Sequence, residues 1–245
     1  DAEGPDHYFD RELVAGWKLP ATRGEFLAAC AERKVKPSTI GTGPYAVVEW
    51  AQRLTVAMAE HRAWPKDEAA ESRCLVFAGL LAHYAQDLCQ PLHVTIHYDG
   101  RVGPDGVSPR TGIHQRLDGL LGRLRIERAA ALKDLRPAPL GELLPAVLAE
   151  IERSGALVDR VYELEKALAA AEESGELSAE LEAFGVERLR AAARFTASLY
   201  LTVWENSAKL KLPEWLARER AECPLLPGVA TTRPAGAAAP RPAAE

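Results

Sequence analysis

The chain has 245 residues, 47% of them hydrophobic and 27% charged, and a formal net charge of −5. That size and balance fit a globular protein of one large or two small domains. The negative charge excludes a basic protein that holds nucleic acid by charge alone, though not a nuclease that meets phosphate through metal ions, and no apolar run reaches the roughly 20 residues of a membrane-spanning helix.

The opening residues, DAEGPDHYFD, are polar and hold no secretory signal. Lacking an initiating Met, they read as a processed or truncated end. Ala, Leu, Glu and Arg outweigh Ile and Thr, which favours helix over strand. Residues 24–33 read as a helix, and Pro37, Gly41, Gly43 and Pro44 mark residues 35–44 as a loop. Pro44 can start a helix to about Trp64, with Val47, Val48, Ala51, Leu54 and Met58 at helical spacing, and Pro65 breaks it. Residues 67–89 form the next helix. Its second half is apolar almost all round, the pattern of a helix buried in the middle of its fold. Pro91 stops it, and the Gly, Pro, Asp and Ser of residues 98–111 make a loop.

A helix is expected from Gly112 toward Arg128, another over 141–153 and one more to about Glu173. A long last helix spans Ser178–Ala208, and Pro213 ends the apolar pattern. From Gly228 onward Ala, Pro, Thr, Arg and Gly supply nothing for a core. The expected architecture is a single multi-helix all-α domain over residues 1–218 with a disordered Pro/Ala-rich tail over 219–245. No internal repeat, GxGxxG, P-loop or nucleophile-elbow motif is present.

The cysteines are Cys30, Cys74, Cys89 and Cys223. Cys74 and Cys89 read as sharing one helix, about 22 Å apart at 1.5 Å per residue, which is too far for a disulfide. No CxxC occurs, so a thiolate zinc site of the usual spacing is absent.

The chemistry concentrates between residues 83 and 118. His83 and Asp87 are spaced i, i+4, as are His114 and Asp118. That spacing puts an imidazole and a carboxylate on one helical face, one turn apart, where they can share a metal ion. Nitrogen and oxygen ligands suit zinc and its first-row neighbours. Asp87 sits in the most apolar helix with no Lys or Arg beside it, and a charged carboxylate there needs a cation or a distant Arg. His93 follows the Pro91 break, where its side chain can turn back toward the same cavity. Taken singly, each residue has a plainer role: His83 as a core histidine, His114 and Asp118 as a surface pair, His61 as a solvated helix-end residue, His97 as a loop histidine.

The stretch His83-x3-Asp87-x2-Gln90-Pro91-x-His93, followed by His114-x3-Asp118, resembles the signature of the zinc-dependent phospholipase C and single-strand-specific zinc nuclease superfamily. His7-Tyr8-Phe9-Asp10 resembles that family's His-Phe-x-Asp segment, and Ala192–Trp204 weakly resembles its last core helix. The family is all-α, usually exported, carries up to three zinc ions and hydrolyses phosphoester bonds. The resemblance implies that His7, His83 and Asp87 hold a first zinc, with Asp87 bridging to another and central to catalysis. His93, His114 and Asp118 would hold a second zinc with a position open for water or substrate. Tyr8 would line the substrate cleft, and His97 and Asp99 would reach it from the loop. The family's N-terminal Trp, the His after it and an upstream Asp have no counterpart here, which leaves the third zinc with little but Asp87.

The function implied is zinc-dependent hydrolysis of phosphoesters by metal-activated water, in a secreted or periplasmic setting. Asp118, where a Glu is the family's other choice, leans toward the nuclease branch and a nucleic acid or nucleotide substrate. Tyr8, Tyr45, Tyr84 and Tyr98 are available for base stacking. A phospholipase C acting on phospholipid head groups, a metal-binding helical domain without catalysis, and a helical interaction domain without metal are the competing readings.

Overall fold

The computed structural model describes residues 3–216. The chain divides into two units, Asp1–Lys209 and Leu210–Glu245. The expected tail over 219–245 lies outside the described residues, as does Cys223. The described residues form α-helices and short 3₁₀ turns, with one isolated bridge between Tyr98 and Gly100. None of these helices is long and apolar enough to cross a membrane.

The helices are α1 (Arg23–Glu32), α2 (Pro37–Ile40), α3 (Gly43–Ala63), α4 (Glu68–Asp87), α5 (Ile113–Leu120), α6 (Arg128–Leu132), α7 (Leu143–Gly155), α8 (Val158–Glu163), α9 (Glu165–Ser174) and α10 (Ala179–Lys209). Their starts follow from sequence. Thr22 and Glu25 form a capping box on α1, Pro44 enters α3 in its first turn, and the Asp67 carboxylate accepts the Ala69 and Ala70 amides at the start of α4.

α3 and α4 form a helical hairpin crossed by α10, with α7 against α3. Phe26, Tyr45, Leu54, Leu81, Leu88, Ile151 and Leu199 fill the core between them. A second core gathers Leu92, Ile113, Leu117, Val161, Leu164, Leu181 and Phe184 under α5, α8, α9 and the start of α10. Leu88 belongs to the first core and Leu92 to the second. The stretch that carries Asp87 and His93 is therefore anchored at both ends by buried leucines.

Several expectations change. A helical turn, α2, interrupts the loop expected over 35–44. The helix expected from 112 to 128 stops at Leu120 and passes through a 3₁₀ turn at Leu121–Arg123. Gly119 and Gly122 weaken it there, and Leu124 packs so closely on Gly185 that a β-carbon at 185 would stand 2.9 Å from its Cδ2. α4 is not enclosed: Leu81, Tyr84 and Ala85 are buried, but Leu75 is 69% and Val76 58% exposed. Its helical partners α3 and α10, with the N-terminal 3₁₀ turn, cover one side only. His61 is half-buried, and its Nδ1 has no hydrogen-bond partner among the described residues. Cys30, Cys74 and Cys89 are free thiols, and α4 ends before Cys89.

Candidate metal centre

The N-terminal segment is placed by backbone hydrogen bonds on both sides. The Phe9 amide donates to the His93 carbonyl (2.9 Å) and the Asp10 amide to Ile40 (2.6 Å); Pro5 and Tyr8 carbonyls accept the Thr42 (2.6 Å) and Gly43 (3.1 Å) amides. Arg23 donates to Asp6 Oδ1 at 2.6 Å, and the Thr42 hydroxyl donates to the same oxygen. Gly41 permits this approach. Its φ is +92°, and a β-carbon there would lie 2.1 Å from the Tyr8 carbonyl oxygen. His7 is thereby fixed over the C-terminal end of α4.

A first group forms there. His7 Nδ1 lies 2.9 Å from Asp87 Oδ2 and 3.2 Å from His83 Nε2, and His83 Nε2 lies 3.6 Å from the same oxygen. Ligands about 2.0–2.1 Å from a tetrahedral ion stand about 3.3 Å apart, so these spacings fit one ion between three donors. In the second group, His93 Nε2 is 3.6 Å from Asp118 Oδ1 and His114 Nε2 is 3.3 Å from Asp118 Oδ2. Each His/His/Asp group can hold a metal ion. All six expected ligands are thus brought together, three and three.

Backbone carbonyls set the second group's tautomers. His93 Nδ1 donates to the His7 carbonyl at 2.7 Å, and His114 Nδ1 donates to the Tyr98 carbonyl at 3.2 Å. A carbonyl only accepts, so the proton sits on Nδ1 and each Nε2 is turned toward Asp118. Burial alone would raise the Asp118 pKa, but its contacts with the His114 and His93 imidazoles and the Gln90 amide hold its carboxyl well below the usual range. Burial lowers His93, yet its bond to Asp118 and the nearby Asp87 charge raise it overall. Loading a cation therefore competes with a proton at His93.

A cleft of about 470 Å³ is lined by His7 of the first group and by His93 and His114 of the second, together with Tyr8, Asp10 and Tyr98. Tyr8 is where the sequence puts it, its hydroxyl donating to the Ser38 carbonyl. His97 and Asp99 are not among the lining residues. His97 Nδ1 accepts the Val102 amide at 3.0 Å, and Asp99 Oδ1 accepts the Gly112 amide at 2.7 Å. Both side chains are committed to shaping the 98–111 loop, and Asp99 fixes the start of α5, which carries His114. Of the stacking candidates, Tyr45 and Tyr84 are core residues, whereas Tyr98 is on the cleft.

Asp10 is the cleft residue that spacing and charge did not single out. Burial, reinforced by Glu12, pushes its carboxyl up to about 7. Unfolded, it would titrate near 3.9. Between those values the folded chain holds the extra proton, so stability falls as pH rises from about 4 to 7, and the penalty is complete above 7. Asp10→Asn should therefore unfold later than wild type at pH 8, by about 2–4 kcal/mol, and at the same point at pH 4. Urea titrations of chelator-treated protein at both pH values check this; an equal shift at both would contradict the buried-carboxyl account.

Compared with known proteins, the chain matches no family model, no curated sequence and no solved structure.

Proposed function

We propose that the chain is a zinc-dependent phosphoester hydrolase of the phospholipase C/nuclease type, working as a nuclease-like phosphodiesterase. The observation that carries this reading is a pair of His/His/Asp groups, joined through His7 and His93 beside a cleft that both of these residues line, in the residue order of that family's signature. Two imidazoles and a carboxylate leave a tetrahedral ion one open position, as catalytic zinc sites do. Zinc held there supplies Lewis acidity, polarising a phosphoryl oxygen and lowering the pKa of a nearby water toward about 7.

The chain's own residues do the rest. The His7 and Tyr98 carbonyls keep the His93 and His114 Nε2 lone pairs aimed inward. Asp10 stands on the cleft wall, where burial favours its neutral carboxyl, the form that can give a proton to a leaving oxygen. Tyr8 and Tyr98 offer ring faces on which bases can stack, at about 1–3 kcal/mol each. These faces favour a single-stranded nucleic acid or nucleotide over a phospholipid head group. An exported location belongs to the same reading.

The test is zinc content by elemental analysis, followed by hydrolysis of a single-stranded oligonucleotide and of phosphatidylcholine vesicles. About two zinc ions per chain, falling by about one in His114→Ala, with cleavage of the oligonucleotide, is the expected result. A folded sample that takes up no zinc when resupplied would overturn the reading. Vesicle hydrolysis without oligonucleotide cleavage would move the substrate to phospholipid.

A further inference from the structure

Gln90 has every polar group engaged, and the engagements join both metal groups. Its amide N–H donates to the Asp87 carbonyl at 3.0 Å, and its carbonyl accepts the His93 amide at 3.1 Å. Its side-chain Oε1 accepts the Leu92 amide, capping the 3₁₀ turn Pro91–Val94 that presents His93. Its Nε2 donates to Asp118 Oδ1 at 2.8 Å. The amide cannot be reversed, because the Leu92 N–H requires an acceptor and the Asp118 carboxylate requires a donor.

We propose that Gln90 is a positioning residue that makes Asp118 a one-oxygen ligand and so selects a four-coordinate metal ion. This rests on the metal-centre reading above. The Asp118 side chain is 47% exposed near the end of a short helix, so packing alone does not fix its carboxylate rotation. The Gln90 donor at 2.8 Å takes up one lone pair of Oδ1, the oxygen on the His93 side (Nε2 at 3.6 Å), and turns the carboxylate so that Oδ2, with no such donor, faces His114 Nε2 at 3.3 Å. With one oxygen offered, the group has two nitrogens and one oxygen, a set that suits zinc or cobalt in a tetrahedral site. Freed from Gln90, both oxygens can turn to the ion, and the site moves toward the higher coordination and oxygen-rich sets that suit manganese or magnesium.

The test uses cobalt(II) as the probe, with wild type, Gln90→Leu and Gln90→Glu compared. Gln90→Glu keeps an oxygen to cap the Leu92 amide but loses the donor to Asp118; circular dichroism confirms folding, and it stands in if Gln90→Leu does not fold. The spectrum of the first group is taken from His114→Ala and subtracted. In wild type the second group should show the intense visible bands of four-coordinate cobalt. Both Gln90 variants should bind cobalt with markedly weaker bands and lose about 10–100-fold in zinc affinity, with manganese affinity unchanged or higher. If Gln90→Glu keeps the wild-type spectrum and affinity, Gln90 is only a cap and the proposal fails while the metal centre stands. If wild type binds no cobalt, both fail.

Discussion

Replacing His93 by Ala is expected to lower phosphodiester hydrolysis by at least about 10³-fold and to remove about one metal ion per chain. The variant loses the Nε2 donor that faces Asp118, 3.6 Å away. It also loses the Nδ1–H that holds the His7 carbonyl at 2.7 Å, so the damage reaches the first group. His97→Ala is the comparison. That side chain serves the Val102 amide within the loop and lines no part of the cleft, so activity should stay within about tenfold of wild type. Hydrolysis of bis(p-nitrophenyl) phosphate with metal content measured on the same samples separates the two; equal losses would mean the loop histidine belongs to the site after all.

The second large effect falls on Gly41, a residue without a side chain. Gly41→Ala should lower unfolding free energy by about 3–5 kcal/mol, from backbone strain at positive φ plus overlap with the segment beneath. The new methyl would meet the Tyr8 carbonyl carbon at 2.7 Å and its oxygen at 2.1 Å, backbone atoms that cannot swing aside. Displacing Tyr8 drags His7 off Asp87, so the variant should also bind metal poorly at the first group. Gly16 provides the control, since its φ is +79° with nothing within 4 Å of an added β-carbon. Gly16→Ala should cost only about 1–2 kcal/mol. If urea denaturation gives the two variants the same loss, the close approach at Gly41 has no energetic weight.

Much of this site is local, and local features are legible in a sequence. α3, α4 and α10 follow from apolar spacing and proline punctuation because a helix repeats every 3.6 residues whatever surrounds it. The His83/Asp87 and His114/Asp118 pairs follow for the same reason. What pairs them with His7 and His93 is long-range, and only resemblance to a family placed His7 among them. The two tautomer-setting groups are backbone carbonyls, of His7 and Tyr98, which every residue possesses and no spacing marks. Asp10 reads as an ordinary carboxylate until burial raises its pKa. His97 and Asp99 look like metal-site residues by type, yet the turns of their own loop claim both side chains. The exposed flank of α4 was illegible because an apolar helix reports what could be covered, not which neighbours arrive.

The hydrogen bond from His93 to the His7 carbonyl links the two groups through one residue's backbone. An ion held by His7, His83 and Asp87 would therefore bear on the carbonyl that keeps the His93 proton on Nδ1, and the two groups would not fill independently. By thermodynamic reciprocity, whatever factor one ion imposed on the affinity of the other would be returned in equal measure.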